Sequence, residues 1–334
     1  MAITSLQELR GLAVRVLTAS KTSPDNAASV AAALVRADAD GIQSHGVARL
    51  PVYADQSKCA KVDGFAKPDL SETGTAAIRV DARCGFAFPA IDLGLARAMD
   101  MVETAGVVAV AIGNSSHAGV LGHPVERLAD HGLAALAFVN TPSAISPWGG
   151  NRPLYGTDPI AFACPRPDAP PLVIDLSMSK VARGKIKLAA DKGEAIPEGW
   201  AADADGHPTT DAKAAMQGGS LLPIGGPKGA ALALMVELMS AAMTGSQYGY
   251  EASSFFDTEG GPPRTGQFFF IFKPERLGGD GVLARIEDLM GAISGQPGTR
   301  IPGQRRLDNR RKAEADGVDI PDKLLQDLTW RAGG

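Results

Sequence analysis

The sequence is poor in the residues that mark disulfide-rich and metal-dependent proteins. Its three cysteines, Cys59, Cys84 and Cys164, are too widely spaced for a disulfide framework or a CxxC metal site. Its five histidines show no cluster with carboxylates at metal-ligand spacing, which argues against metal-dependent hydrolysis. We therefore expect reduced cysteines that serve packing, and no metal.

Long apolar runs and an excess of basic charge are also missing. The longest apolar runs, near residues 107 and 132, fall well short of the roughly 20 residues that cross a bilayer. The N-terminus lacks a charged segment followed by an apolar one, so we expect a soluble, cytoplasmic protein without a membrane partner. Because 33 Lys and Arg face 37 Asp and Glu, nucleic acid is not an expected partner.

Helical patterning is present at both ends of the chain. Ser5 and Glu8 form a capping-box pattern, and Ser23 followed by Pro24 opens a second helix that runs to about Asp40. The tail repeats this patterning at 283–293 and 323–330, with a basic segment at 300–311 that we read as a loop. We expect a helical domain of residues 1–62, joined by 282–334.

The middle of the chain, residues 63–281, has the pattern of an α/β domain, with a possible small subdomain at 180–222. Helices are predicted from Pro89 to Gly106 and from about 118 to 129. A further helix after residue 229 is apolar almost all round, which predicts that it is buried. The fingerprint G-x-G-x-x-G is absent, which disfavours a classical Rossmann fold. Strands are predicted at 76–81, 106–112, 133–139, 172–176 and 267–274.

Ser44, His45 and Arg49 are the strongest candidates for chemistry. If Ser44 caps a helix that begins at His45, then His45 and Arg49 share one helix face and can converge on one small ligand. Arginine matches a carboxylate bidentately, and histidine titrates near neutrality as a general acid must. Repulsion between the two should keep His45 neutral until an anion binds. The same residues could also be a capping serine, a packed histidine and a surface arginine.

Glycine-rich turns offer candidate nucleotide contacts. The segment around His117 reads as strand, turn and helix start, which suits a pyrophosphate, although His117 could simply begin a helix. The loop 225–229 combines glycines with a lysine and could equally be a plain turn. Basic residues at 305, 306, 310 and 311 could meet a 2′-phosphate or could be a solvated surface.

Three short segments match known catalytic or calcium-binding motifs only in part, so they do not indicate those functions. Residues 177–180 fit S-x-x-K but lack its partner motifs, and Ser115 and Ser116 do not lie in G-x-S-x-G. The stretch from Asp203 to Gly206 lacks the rest of a calcium loop and predicts a hairpin turn.

Six segments together resemble the malate/L-lactate dehydrogenase family that has no Rossmann fold. The resemblance covers nearly the whole chain, and Ser-His-Gly and Gly-Thr-Asp-Pro-Ile are its most specific motifs. It implies an NAD(P)-dependent oxidoreductase, usually a homodimer, that acts on a small carboxylate substrate. It also implies a helical domain plus a mixed, largely antiparallel sheet domain that binds the cofactor. The segments are SHGVARLP, GNSSHAG, GGNRPLYGTDPIAFACP, IDLSMSKVARGKI, GGPKGAALALMVELMSAAMTG and RIPGQRR.

The resemblance also assigns roles to residues. His45 is the implied proton donor or acceptor, oriented by Ser44, and Arg49 is the implied ligand of the substrate carboxylate. Thr157, Arg183 and Gly184 would approach the substrate. Lys185 occupies the position at which an acidic residue of the cyclic imino acid reductases would orient the catalytic histidine. The implied cofactor-binding residues are His117, Ala118, Gly119, Val120, Leu121, Asp175, Leu176, Ser177, Pro227, Lys228, Gly303, Arg305 and Arg306.

The substrate indications within the family divide. The segment 253–274 resembles reductases of cyclic imino acids, whereas Arg183-Gly184-Lys185 is the form of the wider 2-hydroxy acid branch, where those reductases have His-Gly-Asp. We expect reduction of Δ1-pyrroline-2-carboxylate to L-proline, with Δ1-piperideine-2-carboxylate to L-pipecolate as the homologous reaction. The alternative is an open-chain 2-hydroxy acid of the malate, lactate, sulfolactate or ureidoglycolate type. NADPH is expected over NADH because of Arg305 and Arg306. A further alternative is a non-catalytic, nucleotide-binding or structural relative, but the presence of His45 and Arg49 argues against it.

Overall fold

The chain is helical near both ends and mixes helices with strands in its middle. The computed structural model describes residues 2–333. The helices are α1 Leu6–Thr18, α2 Pro24–Ala39, α3 Leu50–Lys58, α4 Ala87–Ala105, α5 Gly122–Asp130, α6 Arg183–Lys192, α7 Ala212–Met216, α8 Pro227–Glu237, α9 Pro274–Gly278, α10 Val282–Ser294, α11 Gln304–Asp316 and α12 Asp322–Arg331. The strands are β1 Ala2–Thr4, β2 Asp69–Gly74, β3 Ala77–Asp81, β4 Val107–Ser115, β5 Ala134–Val139, β6 Ile160–Cys164, β7 Leu172–Leu176, β8 Ala201–Ala202, β9 Pro208–Thr209, β10 Ser220–Leu221, β11 Thr265–Phe272 and β12 Val318–Ile320.

A seven-stranded sheet forms the centre of the molecule, in the order β2-β3-β4-β11-β5-β6-β7. Of its strand pairs, β3 with β4 is parallel and the rest are antiparallel. This order is not that of a doubly wound parallel sheet, so the prediction of a mixed, largely antiparallel α/β fold without a classical Rossmann unit is confirmed.

Both faces of the sheet are covered. Helices α4 and α5 pack on one face through fully buried side chains such as Leu95 and Leu128. The other face, with Phe268, contacts α8 and the layer around β8–β10, where Val236 and Leu221 are buried. None of the helices within residues 2–333 is both long and apolar enough to cross a lipid bilayer.

The N-terminal helices begin where the sequence predicts. Ser5 and Glu8 make both hydrogen bonds of the capping box, and the Ser23 hydroxyl caps α2 with Pro24 in its first turn. Strand β1 pairs with β12, and Ala313 of α11 and Leu328 of α12 are buried among the N-terminal helices. Helix α10 instead packs on the sheet, where Met290 is buried. The division into domains at 62 and 282 stays a prediction.

Three predicted elements were wrong. The helix expected from 118 begins only at Gly122, because Gly119 has a left-handed φ of +69° that helical backbone cannot adopt. Most of the basic segment 300–311 is helical as the start of α11, whose arginines pair with buried carboxylates of α2 and α5. The helix after 229 is not fully buried, since Leu234 and Leu238 are each 44% exposed.

A buried pair of carboxyl groups, Asp158 and Glu237, holds the turn that carries Thr157. Glu237 accepts the backbone N–H groups of Gly156 and Gly249 at 3.2–3.3 Å, and Asp158 accepts the N–H of Thr141 at 3.3 Å. Burial and the neighbouring Glu237 raise the pKa of Asp158 well above its usual range, and burial raises the pKa of Glu237 to about 7. The pair therefore retains a proton at neutral pH, because two carboxylates this close cannot both ionise without cost.

This pair predicts a pH dependence of stability. A carboxyl group whose pKa is raised on folding stabilises the folded state below its unfolded pKa and loses that contribution as the pH rises through its folded pKa. We expect the free energy of unfolding to fall by about 3 kcal/mol between about pH 4.5 and pH 8, because folding raises the Glu237 pKa from 4.5 to about 7 and each pKa unit corresponds to about 1.36 kcal/mol. Glu237→Gln, which removes the titrating group and keeps an oxygen acceptor, should largely remove this fall in urea unfolding at several pH values. The exposed Asp288→Asn is the control; an equal fall in wild type and Glu237→Gln would contradict the assignment of the pH dependence to Glu237.

Candidate active site

The loop that carries Ser44, His45 and Arg49 is not the regular helix we predicted. Residues Gln43–His45 and Val47–Arg49 form two short 3-10 turns, and α3 begins only at Leu50. Between the turns, Gly46 is extended, with φ −87° and ψ −153°. His45 and Arg49 nonetheless stay close, because the Arg49 Nε–H donates to the backbone carbonyl of Ser44 at 2.8 Å.

Asp38 explains why the loop breaks at Gly46. Its buried carboxylate accepts the backbone N–H of Val47 at 2.7 Å from beneath the loop. A Cβ on Gly46 would lie 1.9 Å from Asp38 Oδ1, so only glycine allows the loop to rest on this carboxylate. Burial raises the pKa of Asp38 to about 6, and its bond from Val47 opposes that rise. The glycine of the Ser-His-Gly motif therefore serves a close approach of backbone to side chain.

Two imidazole rings face each other at the centre of the site. The His45 and His117 rings stack with centroids 5.4 Å apart. Ser44 Oγ lies 3.0 Å from His45 Nδ1, and the Tyr53 hydroxyl lies 2.5 Å from His117 Nδ1. Each ring is thus held through Nδ1, which leaves Nε2 of His45 to exchange a proton with a ligand. His117, predicted as a cofactor contact or a helix start, lies beside the proposed catalytic histidine.

Both histidines are neutral in the free protein. Burial, and then the positive charge of Arg49, lowers the pKa of His45 to about 4. The same two causes lower the pKa of His117 well below its usual range. These directions agree with the expectation that Arg49 keeps His45 uncharged until an anion arrives.

Arg49 has an incomplete set of partners. Its Nε–H donates to Ser44, and its guanidinium carbon lies 4.4 Å from the ring centroid of Phe256. Its Nη1 is buried and has no hydrogen-bond partner within residues 2–333. A buried charged donor without an acceptor is costly, and a carboxylate is the group that would satisfy it bidentately.

Sequence reasoning missed three aromatic residues of the site. Phe255 is buried with its ring edge against His117, at a centroid distance of 5.1 Å, and Phe256 covers Arg49. Tyr53 could have been found, since it follows Arg49 by four residues on the start of α3. The two phenylalanines lie some 200 residues away along the chain in a turn-like segment, so no local pattern connects them to the histidines.

The predicted substrate contacts lie in two connected segments. The Thr157 backbone carbonyl accepts the Met178 N–H at 2.8 Å and the Ser177 hydroxyl at 3.2 Å, which ties the Thr157 turn to the segment that leads into α6. Arg183 and Lys185 lie in the first turn of α6, where neither has an ion-pair partner within the described chain. The α6 cap residue, Ala182, gives that turn no side-chain hydrogen bond.

Several predicted cofactor residues converge at the start of α5. The N–H of Gly122 donates to Asp175 Oδ2 at 2.7 Å, and a Cβ on Gly122 would lie 3.3 Å from Arg306 Nη1. A Cβ on Gly303 would lie 3.3 Å from the Val173 carbonyl. Within the segment 117–121, the side chains of Ala118, Val120 and Leu121 are buried, so they offer a ligand mainly backbone. One backbone N–H at the start of α5 is thus already bonded to Asp175.

The two arginines predicted to select NADPH differ in their surroundings. Arg306 lies in a buried ion-pair network, 3.0 Å from Glu126 and 3.6 Å from Asp40, whereas Arg305 is exposed without an ion-pair partner in the described structure. Arg310 joins the same network by a bidentate contact with Asp40 at 2.7 and 2.9 Å. Burial raises the pKa of Asp40, but the bonds from His123 and Arg310 outweigh it and bring the value to about 2.

The loop before α8 has the features of a phosphate contact. Gly225 and Gly226 have left-handed φ values of +65° and +63°, and no side chain caps the first turn, which begins at Pro227. Lys228 is exposed and has no ion-pair partner within residues 2–333. Free backbone N–H groups and a cation at one helix start favour an anionic group.

Comparison with known proteins places this arrangement in a family. The model of the malate/L-lactate dehydrogenase family matches residues 4–329. The chain is 51% identical over 324 residues to (2R)-3-sulfolactate dehydrogenase (NADP(+)) of Chromohalobacter salexigens, covering 97% of this chain and 96% of that protein. It is 41% identical over 329 residues to Delta(1)-pyrroline-2-carboxylate reductase 1 of Burkholderia ambifaria, covering 98% and 96%.

A solved structure agrees with the sequence relatives. The crystal structure of delta1-piperideine-2-carboxylate reductase from Pseudomonas syringae pvar. tomato superposes with a TM-score of 0.94 at 37% identity, over 99% of this chain and all of that one. The resemblance stated from the motifs is thereby confirmed. The chain belongs to the malate/L-lactate dehydrogenase family and is an NAD(P)-dependent oxidoreductase.

Proposed function

We propose that this protein interconverts a 2-hydroxy acid and its 2-oxo acid, and that its substrate carries a second anionic group, as 3-sulfolactate does. The observation that carries this proposal is the basic first turn of α6, in which Arg183 and Lys185 have no acidic partner. A helix N-terminus ordinarily favours acidic side chains, so two cations there are unfavourable unless an anion joins them. The 51% identity to a sulfolactate enzyme supports the same choice.

Arg49 and His45 supply the chemistry at the other end of the substrate. Arg49 binds the carboxylate through its unpaired Nη1 edge, which brings a negative charge next to His45. Burial and repulsion from Arg49 lower the His45 pKa, and the carboxylate offsets the repulsion, so the imidazolium becomes more favourable once substrate is bound. In the direction of reduction, His45 Nε2 then gives its proton to the oxygen on C2, and Ser44 holds the ring through Nδ1.

The cofactor site is proposed from the segments that converge around α5 and α8. A bound nicotinamide cofactor would supply or accept the hydride. The loop of Gly225, Gly226 and Lys228 fits a phosphate group, because no side chain caps the helix start that follows it and the Lys228 ammonium has no ion-pair partner within residues 2–333. Arg305 is the free cation that supports NADPH over NADH, since Arg306 is engaged with Glu126.

A cyclic imino acid, the substrate we expected first, is the second candidate. The apolar wall of Phe255 and Phe256 beside His117 and Arg49 would suit its ring, and the piperideine-2-carboxylate reductase structure superposes closely. Such a substrate has one carboxylate and, when protonated, a cation at nitrogen. It therefore gains nothing from two further cations, which is why we rank it second.

Steady-state assays separate the two substrates. With NADPH as the reductant, we expect a higher kcat/KM for sulfopyruvate than for pyruvate, oxaloacetate or Δ1-pyrroline-2-carboxylate. Lys185→Gln should raise the KM for sulfopyruvate by at least about tenfold, the size expected for loss of a charge-assisted hydrogen bond, and leave that for pyruvate nearly unchanged. Lys187→Gln is the matched control, because Lys187 lies on the same helix and pairs with Asp191 at 2.9 Å.

Turnover confined to the cyclic imine would overturn the proposal in favour of the second candidate. So would a Lys185→Gln protein whose preference for sulfopyruvate over pyruvate equals that of wild type.

We also propose that the protein is a homodimer that buries the exposed side of α8. Leu232, Leu234, Leu238 and Met243 are 41–64% exposed along this helix, the π-helical turn Leu238–Ala242 that follows it, and the next residue. Glu237, the one charged residue between 229 and 250, is buried, so no charge interrupts this apolar face. An apolar strip of this kind is typical of an interface between copies of one chain.

Sedimentation velocity tests the dimer. Wild-type protein should have twice the chain mass of 34.5 kDa. Leu234→Glu should shift the equilibrium to monomer, because it would bury an unpaired charge in the interface. Leu277→Glu, at a side chain that is 67% exposed on α9, is the control and should remain dimeric. A monomeric wild type, or a dimer that Leu234→Glu leaves intact, would contradict this interface.

A further inference from the structure

The side chain of Lys61 is buried. Its side chain is 1% exposed, although lysine is almost never fully buried unless its charge is paired. It lies three residues after α3, the helix that begins next to Arg49. A buried ammonium at this place needs hydrogen-bond acceptors that offset the free-energy cost of its desolvation.

The acceptors all come from one distant loop. Lys61 Nζ lies 2.8 Å from the backbone carbonyl of Ser254, 2.6 Å from that of Glu259, and 3.2 Å from both the carbonyl and the carboxylate of Asp257. Gln56 of α3 donates to the same Asp257 carbonyl at 2.8 Å. The ammonium therefore closes the loop 254–259 on itself and fastens it to the end of α3.

This loop carries the two aromatic rings of the site. Phe255 follows Ser254 directly and packs edge-on against His117, while Phe256 lies over the Arg49 guanidinium. Phe256 is 65% exposed, so little other packing holds its ring in place. The position of Phe256 over Arg49 thus depends on the backbone of its loop, and that backbone is fixed by Lys61.

We propose that Lys61 is a positioning residue for substrate binding: through the loop 254–259 it holds Phe256 over Arg49 and Phe255 against His117. Arg49 is then oriented on one face by an aromatic ring and on one edge by the Ser44 carbonyl, which leaves its Nη1 edge for the substrate carboxylate. An oriented guanidinium loses less entropy when it binds a carboxylate, so this arrangement strengthens substrate binding without contacting the substrate's reacting atoms.

The proposal rests on the proposed function only in that Arg49 binds a carboxylate. It does not depend on the second anionic group, so the experiment uses whichever 2-oxo or imino acid shows the highest kcat/KM. Lys61→Met keeps the apolar stem and removes the charge. Lys58→Met is its matched control, because Lys58 is exposed at the end of α3, three residues before Lys61. Arg49→Met is the reference for loss of the carboxylate site.

We expect Lys61→Met to raise the substrate KM by about tenfold while the KM for NADPH and kcat at saturation stay near wild type. Phe256→Leu keeps an apolar cover but loses the cation–π contact, and it should raise the substrate KM by about three- to tenfold. Lys58→Met should match wild type in all three constants. A role confined to stability would instead lower the melting temperature and the active fraction without a selective change in substrate KM.

A Lys61→Met protein whose substrate KM is unchanged, or whose two KM values rise together, overturns the positioning role. If Lys61→Met does not fold, Phe256→Leu decides, and an unchanged substrate KM there overturns the proposal equally. An Arg49→Met protein with normal substrate KM would refute the carboxylate site itself and this inference with it. A large loss in Arg49→Met beside an unaffected Lys61→Met would leave the proposed function standing and refute only this inference.

Discussion

A half-buried arginine whose buried Nη1 has no acceptor within residues 2–333, placed next to a half-buried histidine, is the constraint on which the site depends. Arg49 has a backbone carbonyl and an aromatic ring for partners, and its Nη1 has none within residues 2–333. Desolvation of the ring and the positive charge of Arg49 both lower the pKa of His45, so the histidine is neutral in the free protein. In the proposed function, the carboxylate of the substrate offsets the repulsion between Arg49 and His45, so that substrate binding also favours protonation of His45.

Buried carboxylates and their arginine partners hold the loop that carries His45 and Arg49. Asp38 supports the catalytic loop from beneath, and the Asp40 side chain accepts Arg310 from the C-terminal helix α11. Glu126 joins α5 to the same network through Arg36, Arg306 and Arg310. The loop that bears His45 is therefore held by both chain ends and by the helix next to the proposed cofactor segments. Breaking a buried pair of this kind costs more than an exposed one, which gives the loop a rigid frame.

How much the sequence predicts depends on whether the signal is local. The caps at Ser5 and Ser23, five of the seven strands of the central sheet and the glycine stop at Gly106 were correct, because neighbouring residues determine them; strands β2 and β6 were not predicted. The proximity of His45 and Arg49 was also predicted, although it arises from Gly46 resting on Asp38 and not from a shared helix face. The helical nature of 304–316 was missed, since the carboxylates that pair with its arginines lie far away in the chain. For the same reason nothing in the sequence linked Lys61 to Phe256.

Titration of His45 by NMR tests the central claim most directly. Protein with labelled histidine would be titrated free and in its complex with NADP+ and the 2-oxo acid, which cannot react together, and the His45→Gln spectrum would assign the resonance. We expect the pKa of His45 to lie near 4 in the free protein, because burial and Arg49 lower it. Binding of the carboxylate should raise this pKa by at least about one pH unit. A free-protein pKa near the ordinary value for histidine, or one that the bound carboxylate does not move, would contradict it.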